Sequence, residues 1–279
     1  MRGSCVSFRN VMFIKIGGKQ SVNWEKELEV SKKAAIEAGK EIMKVYNSEE
    51  IDIEYKDDRS PLTEADRRAN RVIVDMLSEE FSDYAILSEE EKDNRERRQN
   101  DCCFVVDPLD GTKEFIKRNG QFTVNIALAY KGKSVMGVIY VPVTEELYWA
   151  AEGSGAFLTL HGKTERLHVS DRTKDIRVVM SSSHGCAEMD NLIQKNNLVN
   201  YVKMGSSLKG CIIAKGEAEI YYRFNPTMEW DTAAMQCIVE EAGAIFKQMD
   251  DSEMRYNRED CRNGKGFYII NCTENKMKW

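Results

Sequence analysis

Apolar positions along the chain fall into two rhythms, and the change between them outlines the fold. Leu28, Ala35, Ala38, Ile42 and Val45 recur at helical spacing among charged neighbours, which predicts an amphipathic helix over 24–46. Residues 51–55, Ile-Asp-Ile-Glu-Tyr, alternate like a short strand. Thr63 and Asp66 stand three apart, ahead of an apolar stripe of Ala69, Val72, Ile73, Met76 and Leu77. That spacing predicts a second helix opened by a capping box. A short apolar run at 85–87 ends at Ser88-Glu89-Glu90-Glu91, and the residues through Asp101 are almost all charged or amide, which reads as a solvated loop without assigned function. Residues 104–106 read as a buried strand. Further strands follow at 122–128, 134–141 (after a Lys131-Gly132-Lys133 turn) and 147–150.

The second half alternates more evenly. Strands are expected at 177–180, 202–204, 218–222 and 267–270, and helices at 187–195, 206–215 and 231–242, the last ending at Gly243. Successive strands after helices give an α+β first half, and the later alternation gives an α/β second half. The turn-rich 152–155 is taken as their boundary, so the expected organisation is an extension over 1–23, a subdomain over 24–152 and another over 153–279. The extension's apolar run at 11–14 is too short for a signal-peptide core of about 7–15 residues, so it is read as a poorly ordered extension or a start assigned too far upstream rather than a targeting signal.

Composition narrows the class. The 279 residues suffice for one large domain or two medium ones. A net charge of −6 argues against a binder of polymeric nucleic acid. No apolar run approaches the roughly 20 residues of a membrane span. Eight cysteines without a Cys-x-x-Cys pair read as reduced thiols in a cytoplasmic protein rather than a zinc site.

The chemistry concentrates at 107–115, Asp-Pro-Leu-Asp-Gly-Thr-Lys-Glu-Phe. Asp107 and Asp110 leave a strand end, Pro108 fixes the backbone between them, and Gly111 permits a tight turn with uncovered amides. Hard carboxylates beside free backbone donors suit a divalent cation that itself holds a phosphate. The bland alternative is an Asp-rich turn capping a helix near Thr112.

The whole string resembles the signature of the lithium-sensitive, magnesium-dependent phosphomonoesterases: inositol monophosphatases, fructose bisphosphatases and 3'(2'),5'-bisphosphate nucleotidases. The resemblance implies a layered α-β-α-β-α fold with an antiparallel first sheet. It also implies a metal site built from Glu89, Asp107, the Leu109 carbonyl, Asp110 and Asp231, holding two or three Mg²⁺, with Mn²⁺ able to substitute and Li⁺ inhibitory. Carboxylates about 4 Å apart repel by roughly 4 kcal/mol per pair at an effective dielectric near 20, so such a cluster calls for cations or shifted protonation. In the family a metal-activated water attacks the ester, oriented here by Thr112 with Asp66, while the Gly111 and Thr112 amides hold phosphate oxygens.

Lys113-Glu114-Phe115 and the run to Asn125 look like the bisphosphate nucleotidases, close to their bacterial branch. That likeness implies removal of the 3'-phosphate of adenosine 3',5'-bisphosphate, extending to the sulfated precursor. Glu89, Leu109, Asp110, Gly111, Thr112, Lys113, His184, Ser206, Lys209, Arg223 and Asp231 are the implied substrate contacts. Simpler readings stand beside these: Lys209 as an exposed helix lysine, Arg223 as packing on aromatics, His184 as a surface-loop residue. An inositol-phosphate phosphatase is the alternative enzyme, and a non-catalytic metal- or nucleotide-binding relative the alternative class. The partner implied is a small nucleotide, with no integral membrane association and a homodimer left open.

Overall fold

The computed structural model describes residues 12–16, 19–56, 61–182 and 185–279. Within the predicted extension, Met12–Ile16 pairs antiparallel with Lys19–Asn23. The rest of that segment lies outside the described residues.

Two helices form where the apolar stripes are, α1 at Glu25–Tyr46 and α2 at Glu64–Glu80. The capping box opens α2, with the Thr63 amide donating to Asp66 Oδ2 at 2.8 Å. Both helices lie on one face of a seven-stranded sheet. Its order is Lys163–Leu167, Gly155–Leu160, Glu146–Ala151, Lys133–Val141, Thr123–Tyr130, Cys102–Asp110, Ala85–Ser88. Every pairing is antiparallel except the last, where Ala85–Ser88 runs parallel to Cys102–Asp110.

Strand alternation divides the side chains between two cores. Phe104, Val106, Ile126 and Leu128 pack with Ala35, Ile42, Ala69 and Ile73 from the two helices. Cys103, Val105, Ala127 and Ala129 point the other way, toward a buried helical layer. That layer contains α5, Leu208–Ala214, and α6, Glu229–Glu241, which follow the short α3 at Thr112–Ile116 and α4 at Ala187–Lys195. Behind it stands a five-stranded sheet in the order Asn200–Met204, Arg177–Ser181, Ile220–Arg223, Phe267–Ile270, Ile245–Gln248. Its far face carries Val178, Ile220 and Tyr268 against Met189 and Leu192 of α4. The sequence α-β-α-β-α of layers is therefore real, and each large side chain fully buried contributes about 1.5–3 kcal/mol.

Three expectations need correction. The 152–155 turn is a hairpin inside the first sheet, with Gly153 and Gly155 in the left-handed region, φ 77° and 89°. Two more strands follow it, so the first sheet continues to Leu167 and the boundary at 152/153 falls inside it. The expected antiparallel first sheet also contains the one parallel pair at its edge. The charged loop is not simply solvated: the Arg97 side chain is 2% exposed and paired with Asp93 at 2.7 Å. Arg97 also donates to Asn257 Oδ1, the Arg258 carbonyl and Cys261, strapping the loop to the segment that flanks α6.

α6 lies directly on the first sheet because Gly137 has no side chain. A Cβ there would sit 2.4 Å from the Ala234 carbonyl oxygen. Gly137→Ala is expected to lower stability by about 1–3 kcal/mol, the usual cost of overpacking, read from urea unfolding. An unchanged midpoint would show that α6 has room to retreat.

Candidate active site

The alternation that points Cys103 and Val105 toward α6 also points Asp107 there. Between Asp107 and Asp110 the pairing with Thr123–Tyr130 becomes irregular, which turns both carboxylates toward the end of the strand. Asp231 meets them from the first turn of α6, where its Oδ2 accepts the Met228 amide at 2.7 Å. One carboxylate oxygen from each of Asp107, Asp110 and Asp231 lies within 4.8 Å of the others. Asp107 is buried, at 2% exposure.

Burial and mutual repulsion act on this triad together. Burial pushes the Asp107 carboxyl well above its usual range, and the charges of Glu89, Asp110 and Asp231 push it further. Asp231 is pushed up to about 8, first by burial and then by Asp110. Three hard oxygen donors at this spacing, unable to ionise together without help, fit a divalent cation.

Glu89 enters the same cavity but bonds elsewhere in this structure. Lys56 Nζ donates to Glu89 at 2.8 Å and to Glu90 at 2.6 Å. Burial lifts the Glu89 carboxyl despite the opposing Lys56 charge. Lys56 was not foreseen. It stands 33 residues from Glu89, and nothing in a lone lysine after a short strand marks it.

Thr112 and Asp66 come together across 46 residues. The Thr112 hydroxyl is 3.3 Å from Asp66 Oδ1 and 3.4 Å from the Leu109 carbonyl. It has one proton to give, and the carboxylate is the stronger acceptor, so the Leu109 carbonyl remains for a cation. Asp66 is held from behind by the Thr63 amide and hydroxyl, at 2.8 and 2.6 Å. Burial raises its carboxyl, and those hydrogen bonds offset only part of the rise. Capping and the contact with Thr112 coexist in the one side chain.

A cavity of about 230 Å³ joins these residues to the second sheet. Glu89, Asp110, Gly111, Thr112, Lys113 and Asp231 line one side; Ser206, Lys209 and Arg223 line the other. Gly111 turns the chain at φ 94°, where a Cβ would be strained and would sit 3.1 Å from the Gln121 carbonyl and 3.3 Å from Ser206 Cβ. Lys209 is buried at 9% exposure rather than exposed, and it donates to the Ser206 carbonyl. Burial lowers its ammonium, with Asp110 opposing. Arg223 Nε is buried and meets no acceptor among the described residues. His184 lies outside the described residues.

The profile of the Inositol monophosphatase family matches residues 23–271. The chain belongs to that family. It is 42% identical over 234 residues to the 3'(2'),5'-bisphosphate nucleotidase CysQ of Escherichia coli strain K12, spanning 83% of this chain and 94% of that one. The Haemophilus influenzae protein of the same name is 31% identical over 242 residues, spanning 85% and 89%. Among solved structures, CysQ from Bacteroides thetaiotaomicron superposes with a TM-score of 0.80 at 41% identity, covering 89% and 98% of the two chains. Extragenic suppressor protein suhB from Bartonella henselae follows at 0.75 and 28%, covering 88% and 94%. No helix among the described residues is long and apolar enough to cross a membrane.

The raised carboxyls fix the sign of a pH effect in metal-free protein. With Asp231 moved from 3.8 to about 8, the folded state keeps a proton that the unfolded chain releases. Between those values the folded state binds more protons, so its stability falls as pH rises, and the loss levels off above 8. In EDTA, Tm should drop from pH 5 to pH 8, and added Mg²⁺ should raise it more at pH 8. A flat profile would mean that the triad carries no shared proton.

Proposed function

We propose that this protein is a metal-dependent 3'(2'),5'-bisphosphate nucleotidase that removes the 3'-phosphate of adenosine 3',5'-bisphosphate, giving AMP and phosphate. The observation that carries this reading is that Asp110 and Asp231 of the acidic triad line one cavity with two cationic side chains, Lys209 and Arg223. A substrate with one phosphate needs only the triad side. A second phosphate needs its own cations, and Lys209 and Arg223 supply them. The unpartnered Arg223 Nε adds to the argument, because a buried donor without an acceptor costs about 1–3 kcal/mol until a ligand oxygen meets it.

Asp107, Asp110, Asp231 and the Leu109 carbonyl would hold Mg²⁺, with Glu89 joining once it parts from Lys56. When bound, Mg²⁺ supplies an activated water at neutral pH and stabilises charge on the leaving oxygen. The chain's own work is orientation. Thr112 donates to Asp66, which leaves its lone pairs to accept a proton of the attacking water and fix its line of approach. The Gly111 and Thr112 amides face the transferred phosphate, and Lys113 adds charge on that side. Lys209 and Arg223 anchor the 5'-phosphate, with the Arg guanidinium able to take two oxygens. Seven cysteines among the described residues are free thiols, which supports a cytoplasmic site of action.

Phosphate release from adenosine 3',5'-bisphosphate, inositol 1-phosphate and fructose 1,6-bisphosphate should show a clear preference for the first and stop in EDTA. Preference for the inositol ester would overturn the substrate while leaving the metal site intact.

Arg223→Ala isolates the second phosphate. A lost charge-assisted hydrogen bond is worth about 1.5–3 kcal/mol, so KM for the bisphosphate should rise roughly 10- to 100-fold. The rise should be much smaller for adenosine 3'-monophosphate, which lacks the 5' group. Equal effects on both would remove Arg223 from this role.

A further inference from the structure

Asp110 is held unevenly. Its Oδ2 receives the Ser206 hydroxyl at 2.7 Å, the Ser207 hydroxyl at 2.8 Å and Asn125 Nδ2 at 3.3 Å. Three donors converge on one oxygen and leave the other for a cation. Which donors are committed follows from counting protons. Ser206, Thr123 and Asn125 Oδ1 form a run of short oxygen contacts, 2.6 Å between the hydroxyls and 2.8 Å from Thr123 to Asn125. With the Ser206–Asp110 contact that makes three contacts for two hydroxyl protons, so the Ser206 proton is contested.

Ser207 has no such competition. Asn125 Nδ2 donates to its Oγ at 2.9 Å, so the Ser207 proton points away from Asn125. Its two acceptors are Asp110 Oδ2 at 2.8 Å and the Asp231 carbonyl at 3.4 Å, and the nearer, charged one prevails. The Asn125 orientation is fixed in turn, since its oxygen faces the Thr123 hydroxyl. Ser207 is 2% exposed and Asn125 is 1% exposed, so water does not compete. Ser207 comes from the turn before α5, Asp110 and Asn125 from the first sheet, and Asp231 from α6. One hydroxyl thus touches two elements that carry triad carboxylates.

We propose that Ser207, oriented by Asn125, is a positioning residue that turns the free oxygen of Asp110 toward the metal. It touches neither substrate nor reacting atoms. The proposal rests on the metal site described above and not on which phosphate ester is cleaved.

Mg²⁺ binding by calorimetry, without substrate, tests it. Ser207→Ala should weaken Mg²⁺ binding roughly 10- to 100-fold, the range for lost hydrogen bonds to a metal ligand, and should shrink the Mg²⁺-induced rise in Tm. Ser207→Thr keeps the hydroxyl at a position that borders the cavity, so binding should stay closer to wild type than in Ser207→Ala. Asn125→Ala, which frees the Ser207 hydroxyl to rotate, should weaken binding less than Ser207→Ala. Ser207→Ala with affinity within twofold of wild type would overturn the proposal. So would equal weakening by the Ala and Thr variants, which would mark a packing role. Wild-type protein that binds no Mg²⁺ would overturn the metal reading itself.

Discussion

Repulsion among buried carboxylates is the constraint around which this molecule is arranged. Asp107, Asp110 and Asp231 each offer an oxygen within 4.8 Å of the others, Asp107 buried and the other two half-buried at the wall of a cavity. At such spacing two like charges cost about 4 kcal/mol per pair with an effective dielectric near 20. A fold whose net stability is about 5–15 kcal/mol cannot leave that unanswered. The answers the chain offers are the carboxyls of Asp107 and Asp231 pushed above their usual range, donors aimed at Asp110, and the Lys56 ammonium beside Glu89. None of them caps all three carboxylates at once, and a divalent cation would.

Holding the acids together falls to rigid elements on both sides. Asp107 and Asp110 end a strand that has neighbours on both edges as far as Val106, and beyond it each stays paired with the next strand, at Asn125 and Thr123. Asp231 sits on α6, which is buried in the core between the two sheets, and its first turn is tied down by buried polar contacts. Glu229 is fully buried and accepts the Asn257 and Arg258 amides at 2.6 and 3.0 Å. Asn263 donates to the Met228 carbonyl and to Thr232 on either side of Asp231. Arg97 fastens this same segment to the loop that begins at Glu89. Acids from separate layers are therefore braced by one buried polar network.

Much of this was legible in the sequence, for physical reasons. α1 and α2 were readable because their apolar stripes face one core, and Thr63 and Asp66 lie close enough along the chain to cap locally. Asp107 and Asp110 were readable because a strand end, a proline and a glycine constrain a short string in one way. Gly155–Leu160 and Lys163–Leu167 went unread because the glycine turn before them looks the same as a linker, and Lys163–Leu167 is mostly exposed. Lys56, Asn125 and Ser207 went unread for another reason. Each matters only through a partner 15 or more residues away, and an isolated polar residue gives no sign of where its proton will point.

The layering also separates two demands that pull against each other. The metal site must be stiff, since displacing a carboxylate by a fraction of an ångström changes both its repulsion and its fit to a cation. Substrate recognition must be adjustable, because the leaving alcohol can be a polyol or a nucleoside. Here the stiff part lies on the first sheet and α6, while Lys209 and Arg223 stand on α5 and a strand of the second sheet. On the proposed reading, changes there would alter which ester fits without moving Asp107. The two parts meet at the Ser206–Ser207 turn, where the Ser206 carbonyl takes Lys209 and the neighbouring hydroxyl takes Asp110. If Lys209 takes the second phosphate as proposed, a ligand that draws it away from Ser206 pulls on the turn that holds Asp110. Specificity and chemistry are separate in their residues but joined at that turn.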